Sequence, residues 1–195
     1  MARRGLITLL LVLAALAGGG VLVGAWLYGP VEEAVGKAGP AGGRESRKMT
    51  WQESIGARGV DVMVVDAARH DEYSFALDIR NSGHVPLTFG RFEPEDEVFA
   101  VRISDIRISR NVSEFSGGGP AEWIPLDGVT IEPGQSRELR VTVTHDICNP
   151  ADAGETASFS TVELPYGVGP LKWNHDLELP FDVTLLCGEL DSGNV

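Results

Sequence analysis

Residues 75–87 read FALDIRNSGHVPL, and this stretch decides the fold that we predict. From Phe75 to Ile79 every second residue is large and apolar, which is the period of a strand with one buried face. The Asn-Ser-Gly sequence at 81–83 is typical of a tight turn. A second strand begins at Pro86, since the first position of a strand needs no amide donor. The stretch therefore predicts two consecutive strands joined by a turn.

The same period of two recurs along the rest of the chain. Further strands are predicted at residues 60–64, 99–108, 123–126, 129–131, 139–143, 156–163 and 176–187. The apolar phase changes inside one of them, so a bulge is expected near Ser104 and Asp105. Pro180 within the last run predicts a bulge or an edge position there. The sequence Glu-Pro-Gly-Gln at 132–135 predicts a tight turn of type II.

About seven to nine short strands separated by turn signals are typical of an antiparallel β-sandwich. The two phrases at 75–87 and 131–143 also resemble a broad group of prokaryotic immunoglobulin-like surface domains, in which an N-x-G turn joins two core strands and a Pro-Gly turn precedes a later one. The resemblance implies an all-β, immunoglobulin-like sandwich. The antibody order of Cys, Trp and Cys is not matched, because Trp123 precedes both cysteines.

The N-terminus carries a long uncharged segment. Residues 5–28 contain no charged side chain, and a helix needs about 20 apolar residues to cross a bilayer. Arg3 and Arg4 precede the segment, which predicts a cytoplasmic N-terminus and an extracytoplasmic remainder. We therefore expect a cytoplasmic tip and transmembrane anchor at 1–28 in contact with membrane lipid, a flexible tether at 29–50, and a β-sandwich domain at 51–195.

Two other fates of the N-terminus stay open. Residues 15–17, Ala-Leu-Ala, have the form of a signal-peptide cleavage site. Arg4 and Gly5 before Leu6 resemble the short leader of archaeal type IV pilins, which is removed before the hydrophobic helix. Leu10 stands where bacterial pilins carry glutamate. An uncut anchor, a cut after Ala17 and a cut after Gly5 would give three different proteins.

Charge and cysteines restrict the partners and the compartment. All 28 acidic residues follow residue 28, together with 14 of the 16 basic ones, so this part has a net charge of about −14. Such a surface repels phosphate backbones, and nucleic acid is not an expected partner.

Cys148 and Cys187 are the two cysteines of the chain. A structural disulfide between them is predicted, because disulfides persist outside the cytoplasm.

Several residues invite a chemical role without completing a site. The His-Asp steps at 70–71, 145–146 and 175–176 lack the further ligands that a metal needs. Acidic residues at 93 and 95–97 lack the glycine-punctuated pattern of calcium loops. Asn111 begins a glycosylation sequon. The exposed-aromatic candidates for a binding surface are Trp51, Trp123, Tyr166 and Trp173, for which core packing is the alternative use.

The sequence predicts no catalytic residue, no metal ligand and no cofactor. The expected function is a membrane-anchored extracytoplasmic binding or structural module that contacts another envelope or surface protein, without enzymatic activity. One alternative is a pilin-like subunit whose hydrophobic helix packs in a filament. A second is a metal-binding accessory domain.

Overall fold

A computed structural model of the chain describes residues 31–33, 39–41, 49–52, 61–68, 71–94, 101–110, 122–145, 148, 156–169 and 171–187. These residues form strands and connections, with no helix among them. The predicted all-β class is thus confirmed for this part of the chain. The predicted membrane helix at 5–28 lies outside it. Within the described ranges, no helix has the length and apolarity required to cross a bilayer.

The strands fall into two groups by length. The short ones are β1 (Val31–Glu33), β2 (Gly39–Pro40), β3 (Met49–Gln52), β4 (Asp61–Asp66), β6 (Leu87–Phe89), β8 (Trp123–Pro125) and β9 (Thr130–Ile131). The long ones are β5 (Glu72–Asn81), β7 (Val101–Ser109), β10 (Ser136–His145), β11 (Thr156–Val168) and β12 (Leu171–Leu186).

Two sheets are built from these strands. Sheet A has the order β1-β5-β10-β7-β8, and β2 pairs with the same strand β5. Sheet B has the order β3-β4-β12-β11-β6-β9. The pairing is antiparallel throughout except between β4 and β12, which run parallel. The two long strands β11 and β12 form a hairpin around Gly169, whose φ is +59°.

The core lies between the inner faces of the two sheets. Phe75 of sheet A and Phe181 of sheet B meet edge to face, with ring centroids 5.7 Å apart. The alternating residues that predicted the inner face of sheet A are fully buried: Phe75, Leu77, Ile79, Leu139, Val141 and Val143. Burial of apolar side chains on this scale is the main favourable contribution to folding.

The irregular features that the sequence predicts are present. Asp105 pairs with Thr142 and Ile103 with Val143, so Ser104 is the extra residue of a bulge. Pro180 lies where four residues of β12 stand opposite one residue of β11. Gln135 donates its backbone N–H to the Glu132 carbonyl oxygen, and Gly134 has a φ of +77°. Each confirms the position at which a break in the pattern was expected.

Three parts of the chain differ from the pattern-based expectation. The segment 29–50 was expected to be a tether from its Gly and Pro content, yet its described residues other than Ala41 lie in strands. Of these strands, β1 and β2 pair with β5. On β4 the sequence pattern places Val62 and Val64 on the apolar face, yet Met63 and Val65 are buried as well as Val64. β4 is an interior strand of sheet B, and both of its faces are covered between Met63 and Val65. Strand β11 continues through Pro165 to Val168, beyond residue 163, where the predicted strand ends.

Candidate functional site

One cleft of the molecule opens between one strand of each sheet. It encloses about 610 Å³, within the usual range for ligand pockets. The first residues of β7, Val101 to Ile103, form one wall. The residues of β11 from Thr156 onward form the other, and Arg91 to Glu93, which follow β6, also line the cleft. The cleft therefore lies at a lateral opening of the sandwich rather than inside its core.

The opening exists because neighbouring strands have unequal lengths. Strand β11 has 13 residues, and its neighbour β6 has three. The two pair at Tyr166 and Gly167, and the Gly90 N–H donates to the Pro165 carbonyl oxygen at 2.9 Å. Among the described strands, none pairs with the rest of that edge of β11. On the other wall, β8 pairs with the end of β7, at residues 107–109.

The cleft combines apolar and charged side chains. Ile103 and Phe159 are half-buried within it, and the Phe159 ring lies 6.3 Å from that of Phe75 in the core. Arg102 projects from β7 and is exposed. On sheet B, Glu163 and Asp176 stand directly opposite each other on β11 and β12.

A second cleft, of about 530 Å³, adjoins the first and shares Arg91, Pro165 and Asn174 with it. Its lining includes the half-buried Trp173 and the buried Tyr166, whose rings meet edge to face at 5.1 Å. Two of the four aromatic candidates are thus adjacent. The Tyr166 side chain packs in the core, since it is almost inaccessible to solvent.

The other two aromatic candidates lie elsewhere. Trp123 is half-buried at the start of β8 in sheet A. Trp51 belongs to β3 in sheet B, and its side chain is outside the described part. The four candidates therefore do not form one surface among the described side chains.

The histidines are not brought together. The His145 ring lies 6.3 Å from that of Tyr73 in sheet A. His175 lies 5.9 Å from Tyr166 in sheet B. His70 and Asp146 are outside the described residues. Within the described ranges no three His, Cys, Asp or Glu side chains are close enough to hold a metal ion.

Of the predicted acidic loop, Glu93 alone lies in the described part, and it lines the first cleft. The acidic residues at 95–97 and the sequon at Asn111 lie outside that part. The contribution of Glu93 to the cleft could not be anticipated from the sequence, because it depends on where the chain leaves β6. The cleft itself follows from strand lengths, and the sequence predicted a strand on this wall at 156–163.

The predicted disulfide is present. Cys148 follows β10 of sheet A, and Cys187 follows β12 of sheet B. Their Cα atoms are 5.3 Å apart, and 39 residues separate them in sequence. The bond therefore ties the two sheets together at one end of the sandwich.

The hydroxyl of Tyr73 is a buried polar group that lines neither cleft. The Tyr73 side chain is fully buried, and no described residue accepts a hydrogen bond from its hydroxyl. Burial raises the pKa of this hydroxyl well above its ordinary value, because the phenolate would lose its hydration.

A scan against protein-family models finds no match to this chain, and a search of the curated proteins finds no significant match either.

Proposed function

We propose that this chain is a membrane-anchored extracytoplasmic module, with an immunoglobulin-like domain that binds another envelope or surface protein. The observation that carries the binding role is the cleft between β7 and β11, where backbone edges and mixed apolar and charged side chains are accessible together. Exposed strand edges are common sites of protein association.

The strand order supports an immunoglobulin-like topology. In constant-type immunoglobulin domains, strands A, B, E and D form one sheet and C, F and G the other. Here β1, β5, β10 and β7 are neighbours in sheet A, and β6, β11 and β12 are neighbours in sheet B. Assigning β1 as A and β5, β6 and β7 as B, C and D, with β10 to β12 as E to G, reproduces both orders. Strands β2, β3, β4, β8 and β9 are additions to this frame.

The disulfide and the N-terminal residues support the location. Disulfides form and persist outside the cytoplasm, and Cys148 and Cys187 are bonded. The uncharged residues 5–28 are long enough to span a bilayer, and Arg3 and Arg4 favour a cytoplasmic N-terminus. The acidic remainder of the chain keeps such a module soluble and favours basic partners.

Membrane fractionation of the full chain, with an epitope tag after Val195, tests the location. The tagged chain should sediment with membranes and resist alkaline extraction, and protease added to intact cells should digest the tag. The matched control lacks residues 1–28 and should not sediment with membranes. Equal sedimentation of both forms, or a tag that stays protected in intact cells, would refute the proposed topology.

N-terminal sequencing distinguishes the alternatives for the anchor. A start at Met1 or Ala2 supports the uncut anchor. A start at Leu6 would instead support the filament-subunit alternative. A start at Gly18 would mean that a signal peptide is removed and the domain is released.

Site-specific photo-cross-linking tests the binding role. A photoreactive amino acid at position 102, in the cleft, should give a discrete cross-linked protein in intact cells, whereas the same group at position 132, in the β9–β10 turn, should not. Identical products from both positions, or none from position 102, would argue against a binding role for the cleft.

A further inference from the structure

The second cleft lies on the outer face of sheet B, where β6 runs beside the β11–β12 hairpin. Phe89 and Tyr166 are paired neighbours on β6 and β11, and both are buried in the core. Successive residues of a strand face opposite sides of the sheet, so the residues on either side of these two face away from the core. The outward residues that line the cleft are Thr88, Gly90, Pro165, Gly167, Lys172 and Asn174.

Glycines remove the side chains that would otherwise fill this cleft. A Cβ atom added at Gly90 would lie 3.5 Å from the Pro165 Cβ, and one added at Gly167 would lie 3.4 Å from the Lys172 Cγ. Both atoms would therefore project on the outer face. Gly128, in the turn between β8 and β9, lines the same cleft. The floor is thus largely backbone, and the enclosed volume of about 530 Å³ is usual for small-molecule pockets.

Polar side chains surround this glycine floor. Arg91 and Lys172 are exposed, and no described residue forms an ion pair with either of them. Guanidinium and ammonium groups donate charge-assisted hydrogen bonds to carboxylates. Asp127 and Asn174 are also exposed in the lining, and their carboxylate and amide groups suit sugar hydroxyls.

The two cations of this cleft belong to a chain with a net charge of −12. Such a chain repels anions at long range, so an anion binds only where donors contact it directly. We propose that the second cleft binds a saccharide that carries a carboxylate. The sugar rings lie on the glycine floor, and the carboxylate contacts Arg91 and Lys172. This site goes beyond the protein-binding role proposed for the first cleft and does not depend on it.

Titration calorimetry of the full chain in detergent micelles tests the class of ligand. The probes are short oligosaccharides of galacturonic, glucuronic and mannuronic acid, each beside its methyl ester, which keeps the rings and removes the charge. At least one acid should bind, and its ester should bind roughly tenfold or more weakly, because the charge-assisted contacts are lost. No binding by any of the acids, or equal binding by an acid and its ester, overturns the proposal.

Competition with sodium acetate tests whether the sugar is recognised as well as its charge. Acetate at the concentration of the bound oligosaccharide should not displace it, since acetate lacks the rings and hydroxyls that contact the floor and its rim. Displacement at equal concentration would show recognition of the carboxylate alone and would overturn saccharide binding.

Charge-removing variants test the position of the ligand. Lys172→Gln should weaken the acidic oligosaccharide about fivefold, because it removes one contact to the carboxylate. Arg80→Gln makes the same charge change at an exposed site that lines neither cleft, and should leave the affinity within about twofold. Equal effects of the two variants would show attraction by net charge alone and would overturn the site.

Filling the floor tests the role of its glycines. Gly90→Leu places a side chain on the outer face, where the added Cβ makes an ordinary contact with Pro165. The variant should keep the circular dichroism spectrum of the wild type and bind the acidic oligosaccharide roughly tenfold or more weakly. Unchanged affinity in the folded variant would overturn the placement of the sugar on the floor.

Discussion

The side-chain amide of Asn81 donates a 2.9 Å hydrogen bond to the backbone carbonyl oxygen of Ile131, 50 residues further along the chain. The same amide donates to the Val85 carbonyl oxygen, and its oxygen accepts from Gly83 N–H. The backbone of Asn81 bonds in both directions with Gly134 and Gln135. The N-x-G turn and the Pro-Gly turn are thus one structure, joined through a fully buried asparagine.

We expect Asn81→Ala to lower the free energy of unfolding by about 2–3 kcal/mol, because the substitution leaves the buried Ile131 carbonyl oxygen without its donor. Urea denaturation followed by tryptophan fluorescence measures the change. Asn174→Ala removes the same group from an exposed site and should change stability by about 0.5 kcal/mol or less. Similar losses in the two variants would contradict the role of Asn81.

Replacing both cysteines by alanine should lower the free energy of unfolding by about 4 kcal/mol, because the bond closes a long loop in the unfolded chain. The measurement is urea denaturation of the double variant Cys148→Ala/Cys187→Ala beside the wild type, each with and without reductant. Reductant should destabilise the wild type and leave the variant unchanged. Alkylation of unreduced wild-type protein at both cysteines would contradict the prediction.

Tyr73→Phe should raise the free energy of unfolding at neutral pH by about 1 kcal/mol, since it removes a buried hydroxyl without a described acceptor. The difference in free energy of unfolding between Tyr73→Phe and the wild type should grow at alkaline pH. In the folded chain the pKa of Tyr73 is raised, whereas in the unfolded chain it is about 10. Ionisation of Tyr73 therefore leaves the wild-type free energy of unfolding unchanged below a pH of about 10. That free energy falls as the pH rises from there towards the pKa of Tyr73 in the folded chain.

Denaturation of wild type and Tyr73→Phe at several pH values measures this dependence. Both proteins retain the other two of the three tyrosines, so the difference between them reports Tyr73 alone. A constant difference across the alkaline range would argue against the raised pKa.

Gly167→Ala should lower the free energy of unfolding by about 1–3 kcal/mol, because the added Cβ would lie 2.5 Å from the Leu171 carbonyl oxygen across the β11–β12 hairpin. Gly90→Ala is the matched control. Its Cβ would lie 3.5 Å from Pro165, an ordinary contact, and we expect a change of about 0.5 kcal/mol or less. Thermal and urea denaturation of both variants compare them, and equal losses would refute the close-approach argument.

Local patterns in the sequence determined much of the scaffold. The alternation around Leu77 and Val141 predicted their burial correctly because a strand repeats every two residues. The phase change at Ser104 predicted its bulge for the same reason. The pairing of Cys148 with Cys187 followed from there being two cysteines and from the oxidising compartment expected for them.

Tertiary structure decided what depends on contacts between distant residues. The period of two could not show that Met63 and Val65 are buried as well as Val64, because this depends on what covers each face of β4. It could not show that Asn81 reaches Ile131, which requires two turns to meet. The cleft exists because β6 ends while β11 continues. The sequence by itself determined most of the strands after residue 60 and most of their apolar faces, through local sterics and hydrophobicity. Strand pairing and unequal strand lengths are nonlocal, and they created the cleft that we propose as the binding site.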